Sequence, residues 1–210
     1  MLYLEILKIT GALILCYLIG GIHFCNLISK AVAKKDLKDI GDKNPGGWNL
    51  LFNVSMYWGV IGSWLDALKG FLSYFFILLL TGSELLALIG GSIAVLGHCY
   101  SPYHRFKGGK GVAAIFGLFL GASPWSILVF GVGFVSGLFM VKNMIWGVFF
   151  GIIAPMVFLI FFLDSPIYLI LTLLLLIVIP KYVNHSISMS ENFKFRKEKN
   201  MKDLFTPKIR

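Results

Sequence analysis

Residues 144–163 read MIWGVFFGIIAPMVFLIFFL, an unbroken apolar stretch of 20 residues without a charged side chain. A helix needs about 20 predominantly apolar residues to cross the hydrocarbon core of a bilayer. The stretch is therefore long enough for one crossing, and it has no polar face that could meet water. It predicts a helix inside a membrane.

The rest of the chain has the same character. Of its 210 residues, 58% are hydrophobic and only 14% are charged, whereas soluble domains carry about 25% charged residues. So few charges cannot cover the surface of a soluble domain, and disordered and collagen-like chains are excluded as well. We predict one all-α integral membrane domain over residues 1–210. The three cysteines lie in apolar stretches, so neither a disulfide framework nor a metal site is indicated.

The apolar segments predict a bundle of seven transmembrane helices with a cytoplasmic tail at residues 184–210. The predicted spans are residues 3–28, 54–80, 84–100, 110–122, 125–141, 144–163 and 167–183. Seventeen of the 19 Lys and Arg residues lie in the first, third and fifth connections and the tail. Because cytoplasmic loops collect positive charge, this distribution predicts an outside N-terminus and a cytoplasmic C-terminus. It also explains the net charge of +9 without nucleic acid.

Two ionisable residues lie inside the second predicted span. Asp66 and Lys69 are three positions apart and therefore share one helix face. Charges at membrane depth are costly and usually face the bundle interior in pairs. The pair is either a neutralised structural contact or a group near a polar substrate, and the sequence leaves both open.

The third connection carries the strongest functional signal, GHCYSPYHRFKGGKGVA at residues 97–113. Glycines let backbone N–H groups approach an anion, and the N-terminus of the following helix favours phosphate. Lys107 and Lys110 add full charges on either side of Gly108 and Gly109. This pattern predicts a phosphate site at the cytoplasmic face, with a basic loop touching lipid headgroups as the other interpretation.

The first connection supplies a second candidate on the same face, GDKNPGGWN at residues 41–49. Asn-Pro-Gly by itself is a turn signal. Its functional meaning depends on lying beside the glycine-rich loop. His23, near the end of the first span, is interpreted as a hydrogen-bonded packing residue.

These motifs together resemble those of the bacterial acyl-phosphate-dependent glycerol-3-phosphate acyltransferases, and the resemblance runs over nearly the whole chain. It rests on Gly-His at 97–98, FKGGKGVA at 106–113, Asn-Pro-Gly-x-x-Asn at 44–49 and Leu-Asp-x-x-Lys-Gly at 65–70. The resemblance implies a seven-helix enzyme of the inner (plasma) membrane that acts in phospholipid biosynthesis. Such an enzyme transfers the acyl group of acyl phosphate to glycerol 3-phosphate, giving lysophosphatidic acid and phosphate, without a cofactor.

The resemblance also assigns roles to individual residues. It implies a catalytic set comprising His98, Lys110, Asn192 and His185. It implies a substrate- and phosphate-binding set comprising Lys107, Gly108, Gly109, Lys38, Asn44, Asn49 and Lys43. The proton acceptor is left open between His98, His185 and the phosphate of the substrate.

Several hydroxyl groups of the family pattern are absent. Gly21 stands where the family has serine, Asp42 lies in its first-loop motif, and no serine lies between Ser136 and Ser165. Three hypotheses therefore remain: an acyltransferase, a non-catalytic paralogue that binds lipid or a partner enzyme, and an anion or lipid-phosphate transporter. The absence of a visible inverted repeat argues against the transporter.

Overall fold

The computed structural model describes residues 2–142 and 144–162, and the regular secondary structure of this part of the chain is all helical. Its α-helices are α1 (Leu2–Gly21), α2 (Phe24–Ala33), α3 (Gly47–Asn53), α4 (Met56–Thr81), α5 (Glu84–Cys99), α6 (Val112–Ala122), α7 (Trp125–Val141) and α8 (Met144–Phe162). A 3₁₀ turn at Pro102–His104 follows α5. The predicted seventh span, residues 167–183, and the tail with His185 and Asn192 lie outside the described residues.

The membrane prediction is confirmed by the length and composition of these helices. Leu2–Ala33, Met56–Thr81 and Glu84–His104 are long and apolar enough to cross a bilayer. Shorter apolar helices cover Val112–Ala122, Trp125–Val141 and Trp146–Phe161. The protein is an all-α integral membrane protein.

The first predicted span, residues 3–28, lies within the apolar segment Leu2–Ala33, but its helix is broken between Gly21 and Phe24. The carbonyl groups freed at the break have partners from elsewhere in the chain. Lys69 Nζ donates to the carbonyls of Gly20 and Ile22, at 3.1 and 2.6 Å. A buried ammonium thus satisfies the end of α1, where unpaired carbonyls would otherwise be costly.

The fourth predicted span, residues 110–122, corresponds to the short helix α6, which ends at the predicted residue and begins two residues later. Helix α6 begins at Val112 and has 11 residues, so it is about 16 Å long. The hydrocarbon core of a bilayer is about 30 Å thick. Helix α6 therefore covers only about half of one crossing as a helix.

The small-residue pattern allows the helices to approach closely. A β-carbon on Gly70 would collide with the backbone of Ala114, and one on Gly117 would collide with that of Ala67. Helices α4 and α6 therefore touch backbone to backbone, as small residues permit in membrane bundles. This contact fixes the start of α6 against the middle of α4.

Candidate active site

A cavity of about 460 Å³ opens between the first loop, α4 and the start of α6. One end is polar and is lined by Asp42, Asn44, Asp66, His98 and Lys110. The other end is apolar; its lining includes Trp48, Leu51, Trp64, Phe116 and Phe130. This volume falls in the range of small-molecule sites, and the two ends together suit an amphipathic ligand.

Lys110 and Asp42 form an ion pair at the polar end. Lys110 Nζ lies 3.4 Å from Asp42 Oδ2, and the side chains are 18% and 4% exposed. Asp42 Oδ1 also accepts the backbone N–H of Asn44 at 3.1 Å. Burial lowers the pKa of Lys110, and the Asp42 carboxylate opposes this shift. The two predicted loops are therefore joined by opposite charges.

The N-terminus of α6 faces the same cavity. Gly111 precedes the helix with φ = +80°, a conformation that favours glycine. Gly111, Val112 and Ala113 line the cavity. Because the first turn of a helix has N–H groups without intrahelical acceptors, this end favours an anion.

The two adjacent glycines, predicted to bind phosphate, pack against the end of α5 in the structure. The N–H of Gly109 donates to the carbonyl of His98 at 3.0 Å, so it is not held open for phosphate. A β-carbon on Gly109 would collide with His98 Nε2, and one on Gly108 would collide with the His98 carbonyl. The Gly-Gly pair is thus required because the loop packs directly on the end of α5.

The lysine predicted to be catalytic and the lysines predicted to bind phosphate have different positions in the structure. Lys110 lines the cavity, whereas the side chains of Lys107 and Lys43 are exposed. Lys38 is half-buried. None of these three contributes to the cavity lining among the described residues. The structure brings Lys110, His98 and Asn44 together and leaves Lys107, Lys43 and Lys38 outside that group.

Asn49 has a structural position rather than the predicted contact with phosphate. It is buried, and its side-chain amide donates to the carbonyls of Leu37, Ile40 and Asn44 at 2.8, 2.9 and 3.0 Å. Its Oδ1 accepts from Asn53 Nδ2 at 2.9 Å. Asn49 therefore ties the first loop together and holds Asn44 at the edge of the cavity.

Asp66 and Lys69 belong to a buried charged cluster behind the cavity. The sequence allowed two interpretations of this pair, a structural contact and a group near the substrate site. Lys69 Nζ lies 2.8 Å from Asp66 Oδ1 and 3.0 Å from His98 Nδ1. Lys69 is 2% exposed, while Asp66 and His98 reach the cavity. The pair is both a structural contact and a neighbour of the site. The three-residue spacing indicated the pair, but the sequence carried no sign of the histidine contact.

The fold and cavity define a helical integral membrane protein with an amphipathic internal site. Residues 10–191 match the family model described as glycerol-3-phosphate acyltransferase. Because that match covers most of the chain, the protein belongs to the glycerol-3-phosphate acyltransferase family.

Similar proteins support the same assignment. A "Glycerol-3-phosphate acyltransferase 2" of Bacillus anthracis is 36% identical over 173 residues, 82% of this chain and 89% of that protein. A "Glycerol-3-phosphate acyltransferase" of Finegoldia magna is 33% identical over 185 residues, with coverage of 88% and 90%. Another, from Thermosipho melanesiensis, is 43% identical over 115 residues, which are 54% of this chain and 56% of that protein.

A solved structure shows the same fold. The crystal structure of PlsY (YgiH), an integral membrane glycerol 3-phosphate acyltransferase in its glycerol 3-phosphate form, superposes with a TM-score of 0.73. The two chains are 25% identical, and the match covers 86% of this chain and 92% of that one.

Proposed function

We propose that the protein transfers the acyl group of a fatty acyl phosphate to the 1-hydroxyl of glycerol 3-phosphate, releasing lysophosphatidic acid and phosphate. The observation that carries the proposal is the cavity, in which a cation and an open helix N-terminus adjoin an apolar channel. Family membership supports acyl transfer to glycerol 3-phosphate. The choice of acyl phosphate as donor rests on the resemblance and on the amphipathic site.

The apolar end of the cavity suits the acyl chain. Trp64, Phe116 and Phe130 line it, on α4, α6 and α7 respectively. Burial of each CH₂ group contributes about 0.8 kcal/mol, so a few methylenes in this channel suffice to orient the donor. The phosphate end of the donor would then lie at Lys110 and the N-terminus of α6.

The reaction needs positioning and electrostatic stabilisation more than a covalent intermediate. An acyl phosphate is already activated, so the acceptor hydroxyl attacks the carbonyl carbon directly as the bond to phosphate breaks. Lys110 and the N–H groups of α6 bind anionic oxygens, and a donor near the carbonyl stabilises the tetrahedral oxyanion. His98 at the polar end of the cavity is our candidate for that donor.

The expected location is the inner (plasma) membrane, with the N-terminus outside and the C-terminus in the cytoplasm. This orientation places Lys110, Asp42 and Asn44 on the cytoplasmic side, where positive loops are favoured. Both phosphorylated substrates would then reach the cavity without crossing the membrane.

The direct test uses purified protein in lipid nanodiscs with palmitoyl phosphate and glycerol 3-phosphate, and follows phosphate release together with lysophosphatidic acid. We expect turnover that depends on both substrates. The Bacillus anthracis relative serves as the positive control. Turnover by that control and none by this protein would contradict the proposal.

The same assay distinguishes the proposed acyltransferase from the non-catalytic alternative. That alternative is favoured by one observation, the buried Asp42 carboxylate next to Lys110, because a carboxylate repels an incoming phosphate. A protein that binds lipid or a partner enzyme without catalysis would show no turnover. Complementation of a strain that lacks its own acyltransferase gives an independent answer.

The ion pair predicts a pH dependence. Lys110 must be charged to bind phosphate, so activity is present below its pKa and falls as the pH rises through that value. Burial lowers this pKa below that of an ordinary lysine, and Asp42 raises it. In Asp42→Asn the raising effect is lost, and we expect the alkaline limb of kcat/KM to move to lower pH.

Asp42→Asn keeps the oxygen that accepts the N–H of Asn44, so the loop itself is preserved. Asp39→Asn is the matched control, because Asp39 is exposed in the same loop. Identical alkaline limbs in the wild type and Asp42→Asn would show that Lys110 does not control substrate binding.

A further inference from the structure

We propose that Lys69 is a positioning residue that fixes the tautomer of His98, so that His98 presents an Nε2–H donor to the cavity. The role of His98 in acyl transfer rests on the proposed function, whereas the contacts of Lys69 and the tautomer of His98 do not. The inference concerns Lys69 in the buried cluster behind the cavity, a residue that is absent from the catalytic and binding sets that the resemblance implies.

The argument begins with the acceptors around Lys69 Nζ. The carbonyls of Gly20 and Ile22 lie at 3.1 and 2.6 Å, and Asp66 Oδ1 lies at 2.8 Å. The two carbonyl oxygens accept hydrogen bonds from the amine, whereas Asp66 Oδ1 is its ion-pair partner and makes no hydrogen bond with it. The two carbonyls lie at the C-terminal end of α1, where the helix dipole favours a positive charge. A neutral amine would leave the buried Asp66 carboxylate without its counter-ion, which is costly. Lys69 is therefore an ammonium.

An ammonium has three N–H donors and no lone pair. Its contact with His98 Nδ1, at 3.0 Å, can therefore be a hydrogen bond only if Nδ1 accepts. A protonated imidazole would place an Nδ1–H group against the ammonium, with the repulsion of two like charges in the protein interior. His98 Nδ1 lies 4.0 Å from Asp66 Oδ1, beyond hydrogen-bond reach. Only the neutral imidazole with its proton on Nε2 leaves Nδ1 as an acceptor for the N–H group of Lys69.

The Nε2 edge of the ring points toward the glycine-rich loop. Nε2 would collide with a β-carbon on Gly109, and His98 is part of the cavity lining. The carbonyl of His98 is held by the N–H of Gly109, and His23 Nε2 donates to the same carbonyl at 3.0 Å. The backbone of His98 is thus held at its carbonyl, and the ring is held at Nδ1 by Lys69.

This arrangement changes the role available to His98 in the reaction. An Nε2–H group donates a hydrogen bond to a carbonyl or phosphate oxygen and cannot accept the proton of the attacking hydroxyl. As the new ester C–O bond forms and the C–O bond to phosphate breaks, that proton must go elsewhere. The departing phosphate oxygen is an acceptor that the reaction itself supplies. No proton leaves His98 in this scheme.

The first measurement needs no substitution in the cluster. ¹⁵N-histidine-labelled wild-type protein in lipid nanodiscs is studied by magic-angle-spinning NMR, and His98→Gln identifies the His98 signals by their loss. We expect an unprotonated Nδ1 and a protonated Nε2 throughout the pH range of activity. A protonated Nδ1, in either the neutral or the cationic ring, would overturn the proposal.

The second measurement separates positioning from structural support. Asp66→Asn/Lys69→Met removes both buried charges together and avoids an unpaired carboxylate. We expect loss of the single tautomer and a decrease in kcat of about 100-fold, the usual effect of losing one oxyanion donor, with KM values nearly unchanged.

Ser101→Ala is the matched control, because Ser101 donates to the carbonyl of Gly21 at the same helix break. It should preserve the tautomer and kcat. Loss of the tautomer in both Asp66→Asn/Lys69→Met and Ser101→Ala would show that Lys69 only supports the structure of the helix break, which would overturn the proposal.

A third comparison tests the donor role directly. Glutamine can place an N–H group near the position of Nε2, whereas alanine cannot. We expect His98→Gln to retain about tenfold more activity than His98→Ala, in keeping with the strength of one hydrogen bond to a charged oxygen. Equal loss in the two variants would contradict a donor role. Failure of the proposed function is distinguishable, since it would abolish turnover in the wild type and leave the NMR result intact.

Discussion

Replacing Lys110 by alanine is expected to lower kcat/KM for acyl transfer by about 100-fold or more, the range seen when a donor to a developing anion is removed. Among the described residues that line the cavity, Lys110 is the only lysine or arginine. Its removal also takes the Lys110 ammonium away from the Asp42 carboxylate, whose side chain is 4% exposed. The substituted site would therefore repel the phosphate that the wild-type site attracts.

Two controls make the Lys110 result interpretable. Lys35→Ala removes the same charge from an exposed position in the first loop, and its effect should stay within about twofold because exposed charges contribute little. Asp42→Asn/Lys110→Ala removes both charges and should recover part of the lost binding, since the repulsion disappears. Turnover in Lys110→Ala equal to that of Lys35→Ala would place the reaction elsewhere.

Replacing Gly109 by alanine is expected to lower kcat by about 100-fold, because a displacement of about 1 Å at a reacting group has effects of this size. The added β-carbon would collide with His98 Nε2. A side-chain tip can usually move aside, but this ring is held at its other nitrogen by Lys69. The ring must tilt, and its donor edge then leaves the cavity.

Gly131→Ala is the matched control, because a β-carbon on Gly131 in α7 meets no atom within 4 Å. Alanine there should be neutral or stabilise the helix by about 0.5–1 kcal/mol. Thermal unfolding in detergent and turnover are measured for both variants. Gly109→Ala as active as Gly131→Ala would show that the loop does not pack on His98 in the working enzyme.

The sequence was sufficient for the parts of the fold that depend on local composition. Apolar runs predicted the helices because a membrane segment must be apolar over its whole length. It did not predict the break after Gly21, because that break depends on Lys69, 47 positions from Ile22. A hydropathy pattern carries no information on contacts at such separations.

In the candidate site, too, some features follow from the local sequence and others depend on contacts between distant residues. In the sequence motif, Lys107 and Lys110 are both charged residues beside the glycine pair. In the structure, Lys110 lines the cavity and Lys107 is exposed. The difference arises because this loop lies outside any helix, so that its packing on α5 determines its conformation. The sequence showed Asp42 as a departure from the first-loop motif of the family, and the structure pairs it with Lys110. Neither outcome follows from residue type or spacing alone. Asn192 and His185 remain predictions outside the described residues.

The central claim is that the polar end of this cavity binds a phosphorylated small molecule through Lys110. Its most direct measurement is a calorimetric titration of the protein in nanodiscs with glycerol 3-phosphate, and in parallel with glycerol, which lacks the phosphate. We expect saturable binding of glycerol 3-phosphate only, weakened by about tenfold or more in Lys110→Ala, as expected for a lost hydrogen bond between charged groups. An unchanged Kd in Lys110→Ala would contradict the account.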